Sequence, residues 1–506
     1  MEIRSHILAS NTLLNFVGQG LPLLAGLVAL PLVIQGLGPD RFGLLSLAWV
    51  ILGYFSVFDL GLGRATTKYV AEALGNGEED QVPRIIWTTV TMQGLLGILG
   101  TLVFVAITPM IADQVLNISP EFRAEAISTF YLLALSVPLI LISSSFSGVL
   151  EASQKFGLVN AVRIPSSFLS IVLPLLGLAM GYQLPGIVLL IVISRVLSLL
   201  ALIAFALRTF PTMRKYSVQF SLLSQLLRFG GWITVSSLAG PILVYLDRFL
   251  IGSALSMATV AYYTAPFEVV TRLWIIPGSL VMTLFPAFST LGMTHREDLQ
   301  LVFVRSIKYL LLATGPLILI LLFFSNTILL LWLGPEIAEQ SSLTFQILLL
   351  GTLVGLLAPV SSALLQGLGR PEILAKLYAV EIPFNIVLVW VLVQSFGIEG
   401  AALSFALRAS IETAILFFLS SKFLSLPRRF VVENGLGRVV SILGVLAALL
   451  WIASMMQGVP LQIGIVLVAM VSFVLATWAF AFDEKDKKIL VSMTGRLSSI
   501  MPGGKG

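Results

Sequence analysis

Ten ionisable residues fall inside stretches otherwise apolar enough to cross a bilayer: Asp59, Arg64, Arg195, Asp247, Arg248, Glu268, Arg272, Glu381, Arg408 and Glu412. A charge in hydrocarbon is costly. Such residues face the interior of a bundle or a watered path and mark where a substrate or ion passes. Glu268/Arg272 and Arg408/Glu412 are each four positions apart, hence on one helix face and within reach of an ion pair. Asp247 and Arg248 are adjacent, point in different directions and lie near the end of their stretch, where long side chains can snorkel to the interface. Arg64 and Arg195 have no acidic residue three or four positions away. Arg64 closes the string Asp59-Leu60-Gly61-Leu62-Gly63-Arg64, whose glycines allow close approach by a helix or ligand. The planar guanidinium fork suits phosphate and carboxylate oxygens. Arg64, Arg195, Arg272 and Arg408, with Arg248, therefore form a candidate cationic cavity for an anionic headgroup. Asp59, Glu268, Glu381 and Glu412 are the candidates for pairing with these cations or for coupling to an ion.

Other chemistries find little support. With no cysteine, disulfides and thiol catalysis are excluded. The two histidines, His6 and His295, lie near span ends, which weighs against zinc sites and histidine acid/base catalysis. No GxxxxGK[ST] string occurs, so direct use of ATP is not expected. No catalytic residue, metal or cofactor is expected. The net charge of +5 is not a nucleic-acid signal, because the basic residues gather in loops.

The elements that position these residues follow from composition. The chain has 506 residues, 58% hydrophobic and 11% charged, against about 25% charged in a soluble domain; mean hydropathy is +1.01. Water is absent from hydrocarbon, so the backbone must satisfy its own hydrogen bonds, as helices or as a closed barrel. Barrel strands alternate apolar and polar residues over short segments. Runs such as 310–324 and 439–456 are continuously apolar and read as helices. The expected fold class is an all-α polytopic membrane protein of about fourteen transmembrane helices. In the first half the spans fall near 10–37, 42–73, 84–112, 122–148, 157–181 and 184–208. In the second they fall near 225–252, 258–291, 298–325, 338–367, 371–396 and 399–424, followed by 436–456 and 460–482. Prolines within them, such as Pro138, Pro316, Pro359 and Pro383, should bend helices.

Of the 30 lysines and arginines, Arg64, Arg195, Arg248, Arg272 and Arg408 lie inside spans and Arg41 and Arg123 alone fall on one side. All the rest, Lys155, Lys308 and Arg370 among them, fall on the other. The positive-inside rule makes that side cytoplasmic and puts both termini there. The N-terminus has no short apolar core with a small-residue cleavage site and is expected to be an uncleaved first helix.

A repeat is also legible. The string Gly148-Val149-Leu150-Glu151-Ala152-Ser153-Gln154-Lys155 answers to Ala363-Leu364-Leu365-Gln366-Gly367-Leu368-Gly369-Arg370. Ile164-Pro165 answers to Ile382-Pro383, and Leu184-Pro185-Gly186 to Ile398-Glu399-Gly400. The offset corresponds to six spans, an even number, so the copies share one orientation, and their interface is the usual place for a substrate site. The expected organisation is an N-terminal six-helix lobe at 1–208 and a cytoplasmic linker at 209–224. A C-terminal six-helix lobe follows at 225–424, then an extra helix pair at 425–482 and a cytoplasmic tail at 483–506. The linker's Met213-Arg214-Lys215 is expected to touch lipid phosphates, and the tail to form an amphipathic helix around Lys488–Ile500.

Four strings in order carry a family resemblance. They are Leu37-Gly38-Pro39-Asp40-Arg41-Phe42-Gly43, Phe58-Asp59-Leu60-Gly61-Leu62-Gly63-Arg64, Leu246-Asp247-Arg248-Phe249-Leu250-Ile251-Gly252 and Leu365-Gln366-Gly367-Leu368-Gly369-Arg370-Pro371. With the repeat and the buried arginines, they make the chain resemble the polysaccharide-transporter branch of the MOP superfamily. These are the Wzx-type O-antigen and oligosaccharide flippases, relatives of MATE exporters and lipid II flippases. The resemblance implies an alternating-access flippase, not an enzyme, in the bacterial cytoplasmic (inner) membrane. Its substrate would be a lipid-linked, undecaprenyl-pyrophosphate-linked oligosaccharide for cell-surface polysaccharide or lipopolysaccharide synthesis. Membrane lipids, a coupling ion (Na+ or H+) and other glycan-assembly proteins are the implied partners, and nucleic acid is not. The competing readings are a MATE-like small-molecule exporter, for which a cationic drug would want net acidic residues in the cavity, and a membrane enzyme acting on lipid-linked glycans, for which the outer loops are short.

Overall fold

The computed structural model describes residues 5–291, 295–484 and 486–487; the expected helix around Lys488–Ile500 lies outside them. Every long element among the described residues is helical. Ten helical segments among them have the length and hydropathy of a membrane span. Some are too long for one crossing. Pro371–Leu424 runs for 54 residues, about 80 Å if straight against ~30 Å of hydrocarbon. Gly397, at φ 62° and ψ −138°, breaks it, as Gly38, at φ 77°, breaks the first helix. Only a residue without Cβ adopts such angles readily.

The chain divides into two compact units, 1–265 with 332–334 and 382–401, and 266–331 with 335–381 and 402–506. The helices in chain order are α1 (Ser5–Phe55), α2 (Leu62–Gly75), α3 (Val82–Met110), α4 (Pro120–Ala134), α5 (Ser136–Ala152), α6 (Phe156–Ala179), α7 (Leu184–Thr209), α8 (Leu223–Ala254) and α9 (Met257–Leu273). Then come α10 (Ile275–Leu291), α11 (Arg296–Phe323), α12 (Ser325–Leu333), α13 (Pro335–Gly355), α14 (Ala358–Gly367), α15 (Pro371–Leu424), α16 (Arg428–Glu433), α17 (Leu436–Met455) and α18 (Val459–Ala476).

In the first unit, Leu62, Val70, Ile86, Phe146, Val149 and Ala206 make a core from α2, α3, α5 and α7. Small residues let these helices close up. A Cβ on Gly97 of α3 would stand 2.6 Å from Pro138 Cα, and one on Gly148 of α5 would stand 2.8 Å from the Gly63 carbonyl. In the second unit, Phe288, Phe303, Leu364, Val439 and Phe473 bind α10, α11, α14, α17 and α18 into one core. The outer faces are as apolar as the cores: Leu95, Leu99 and Leu102 of α3, and Leu467, Val471 and Leu475 of α18, are all more than half exposed. A helix that is hydrophobic all round belongs in a lipid solvent.

The repeat survives as local geometry. In α5, Ser153 N–H donates to Val149 O, Gln154 to Glu151 O and Lys155 to Leu150 O; in α14, Leu368 donates to Leu364 O, Gly369 to Gln366 O and Arg370 to Leu365 O. The same left-handed cap ends both, with Gln154 at φ 58° and Gly369 at φ 74°. Pro138 and Pro359 likewise stand in the first turns of α5 and α14, where a missing N–H is tolerated. Each sits just past an interruption inside one helical span, Pro120–Ala152 and Pro335–Gly367, where the junction residues Leu135 and Leu357 keep right-handed helical angles.

Two expectations are corrected. In the linker, Met213 is fully buried and its carbonyl accepts a hydrogen bond from Trp87 Nε1 at 2.9 Å. Only Arg214 and Lys215 remain exposed for lipid phosphates. Lys308 is not a solvated loop cation. It is 1% exposed and paired with Asp486, because the segment after α18 folds back onto α11.

Candidate functional site

In the first unit, Asp59 ends a 3-10 turn (Ser56–Asp59) directly before α2. Leu60 and Gly61 are both left-handed, at φ 49° and 69°, which turns the Asp59 carboxylate back over the helix N-terminus. Gly63 N–H donates to its Oδ2 at 3.0 Å, Ser144 Oγ to its Oδ1 at 2.8 Å, and Gln93 Nε2 also to Oδ1. A carboxylate is favoured there by orphan N–H groups and the helix dipole. Gly63 has no room for a Cβ, which would fall 2.5 Å from Ser144 Oγ. The Asp59-to-Arg64 string thus builds an anchored helix start that leaves the Arg64 side chain exposed. Arg195, on α7, is half-buried, and its Nε is buried without a hydrogen-bond partner among the described residues.

Asp247 and Arg248 do not snorkel. Each is 2% exposed. Tyr263 donates its hydroxyl to Asp247 Oδ2 at 2.9 Å, and the Arg248 guanidinium lies 5.6 Å from the ring centre of Tyr245. Neighbouring aromatic side chains shelter both charges inside the protein, so neither needs to reach the interface.

In the second unit, Arg272 meets Glu268 at 3.4 Å, as four-residue spacing allows, and the pair is only partly buried. The other pair is a trio. Arg408 Nη1 lies 3.3 Å from Glu412 Oε2 and 3.0 Å from Glu381 Oε1. Arg408 and Glu381 are 8% exposed. Glu381 Oε2 is buried without a hydrogen-bond partner among the described residues. Glu412 also forms part of the wall of a cavity of about 470 Å³ with Trp274, Phe285, Ser362, Gln366 and Tyr378. Arg408 itself does not line it.

Sequence spacing reaches the i, i+4 pairs but not the Glu381–Arg408 contact, which spans 27 positions. It also misses the cavity, whose walls come from three helices, α10, α14 and both halves of α15, and the α9–α10 junction. The one local signal is that Tyr378 and Glu381 are three apart on α15 and so share a face. A third miss is the clasp at the end of the last helix. Asp486 takes Lys308 Nζ and the Tyr309 hydroxyl, while Arg305 reaches Asp483 and Asp486. Two aspartates three residues apart just beyond an apolar run were its only trace.

A sequence model of the family described as polysaccharide biosynthesis protein matches residues 8–291, more than half of the chain. The chain belongs to this family. A second model, MatE, matches residues 233–391. Among family relatives, the "Putative O-antigen transporter" of Shigella flexneri is 28% identical over 415 residues, covering 82% of this chain and 98% of that protein. Among solved structures, lipid II flippase MurJ in an inward closed conformation aligns with a TM-score of 0.72 at 13% identity, over 93% of this chain and 98% of that one. An inward-facing multidrug resistance MATE family transporter of the MOP superfamily gives a TM-score of 0.68 at 17% identity, over 80% and 94% of the two chains. At these identities the structures establish the fold, and it is the MOP-superfamily fold that the four strings imply. None of these proteins is named as an enzyme.

Proposed function

We propose that the chain is an alternating-access flippase that carries a lipid-linked, undecaprenyl-pyrophosphate-linked oligosaccharide from the cytoplasmic to the outer leaflet of the bacterial cytoplasmic membrane, with both termini cytoplasmic. The observation that carries this reading is the alignment along 98% of the length of a protein named as an O-antigen transporter. The intramembrane chemistry supports it. Arg195 offers a guanidinium with an unsatisfied N–H, and Arg64 an exposed one, both suited to a diphosphate. For ion coupling, the three hydrogen bonds that Asp59 accepts favour an anchoring role. Glu381 has a buried oxygen without a hydrogen-bond partner among the described residues, which a proton or Na+ would satisfy. Glu381 with Glu412 is therefore the favoured coupling pair. Glu268, more exposed, is left to position Arg272.

The MatE match at 233–391 favours one second reading, export of a small molecule. A single experiment separates the two. In a strain deleted for its own glycan flippase, expression of this chain restores surface glycan and clears the lipid-linked oligosaccharide that mass spectrometry finds on the cytoplasmic leaflet. Failure to clear that lipid, with full expression in the membrane, would sink the flippase reading and leave the exporter.

A further inference from the structure

The geometry points to a pyranose-binding subsite in the second unit, at the cavity of about 470 Å³ whose walls include Trp274, Phe285, Ser362, Gln366, Tyr378 and Glu412, the remaining wall residues being apolar. This rests on the flippase reading and adds to it which part of the substrate one unit holds. Every wall residue belongs to the second unit, and the volume lies within the range of small-molecule sites, about 300–1,000 Å³.

The lining chooses the ligand class. A pyranose ring has an apolar face of C–H groups and a rim of hydroxyls. Trp274 and Phe285 supply aromatic surface for the face. The indole of Trp274 rests over Gly355: a Cβ there would be in ordinary contact with it at 3.7 Å, while the tight approach, 3.1 Å, is to Ala409 Cβ. For the rim, Ser362 and Tyr378 form a hydrogen-bonded hydroxyl pair, Gln366 offers an amide with both donors and an acceptor, and Glu412 offers carboxylate oxygens. Arg408 occupies only one side of Glu412, at Oε2, so acceptor capacity remains for a ligand hydroxyl or ammonium. An acyl chain would leave the Gln366 amide and the unoccupied side of Glu412 unmatched, which costs free energy. A phosphate or a uronic acid would meet the Glu412 carboxylate as a like charge. The site is therefore built for a neutral or amino-substituted sugar ring.

The test uses the full chain in lipid nanodiscs free of glycoside detergent, with saturation-transfer NMR and three probes: methyl glucoside, methyl 2-amino-2-deoxyglucoside and methyl glucuronide. The expected result is transfer to ring protons of the first two and at least fivefold less to the third. Trp274→Ala and Gln366→Leu should each cut the transfer at least fivefold, while Trp274→Phe retains most of it. Transfer to none of the three probes, or transfer unchanged in both W274A and Q366L, would overturn the subsite. The flippase reading is scored separately, by clearance of lipid-linked oligosaccharide in the deletion strain. Clearance without sugar binding removes the subsite alone, and sugar binding without clearance upholds the subsite and removes the transport reading.

Discussion

Arg195 and Arg408 are both arginines within apolar helices, yet their removal should have opposite effects on stability. Arg195 has a buried N–H without a partner among the described residues, so Arg195→Ala orphans no group among them. It should leave thermal stability within about 0.5 kcal/mol, the range of substitutions that break no specific contact, and abolish glycan export. Arg408 holds two carboxylates. Arg408→Ala should cost roughly 3–5 kcal/mol, as expected when one partner of a buried ion pair is removed. E381Q in the same chain should recover part of that loss. Thermal unfolding in nanodiscs beside a surface-glycan assay reads both, and equal melting of R195A and R408A would refute the distinction. Glycine contacts give a second contrast. A Cβ on Gly43 would stand 1.9 Å from the Met257 carbonyl, whereas one on Gly444 meets nothing within 4 Å. Gly43→Ala should therefore destabilise by about 1–3 kcal/mol, the usual range for overpacking, and Gly444→Ala should not. At this scale the sequence exposes chemistry only where it is local. Glu268 with Arg272 and Arg408 with Glu412 are legible because a helix returns to the same face after four residues. Glu381 with Arg408 is not, because that contact depends on how the two halves of α15 fold back after Gly397.

The clasp at the end of α18 acts on a whole element. Burial alone would raise the Asp486 carboxyl. Hydrogen bonds from Lys308, Tyr309 and the Asp483 backbone N–H outweigh it and hold the group below the usual carboxylate range. Its folded value thus lies under its unfolded one, about 3.9. The clasp then contributes stability that is fully present above the unfolded value and is lost as pH falls through the folded one. Asp486→Asn should lower the melting temperature at neutral pH and flatten its fall below about pH 4. A D486N profile parallel to the wild type would contradict that sign. Elements were the most legible level in the sequence. Continuous apolar runs dictate helices, and the shared Schellman-type ends of α5 and α14 appear as Gly148–Lys155 and Ala363–Arg370. What spacing missed is where the charges at their ends go, since Lys308 and Asp486 meet across 178 positions.

At the scale of the molecule, fold class follows from solvent. A chain with 11% charged residues can only be dissolved by lipid, and the strings recurring in register end in the same local cap at α5 and α14. Orientation is open to direct measurement, because the chain has no cysteine and a single introduced thiol reports alone. Lys155→Cys and Arg370→Cys, at exposed matching caps, should react with an impermeant maleimide only after the inner face is opened. Arg123→Cys should react in intact cells. Labelling of all three from outside would reverse the topology.

The Lys308–Asp486 pair has a consequence for biosynthesis. Synthesis adds about 5–20 residues per second, so an α11 lysine emerging 178 residues ahead of its partner waits on the order of ten to thirty seconds for its counter-charge. During that interval the Lys308 ammonium has no counter-charge from Asp486. A chain truncated before Asp486 leaves the buried Lys308 without that counter-charge.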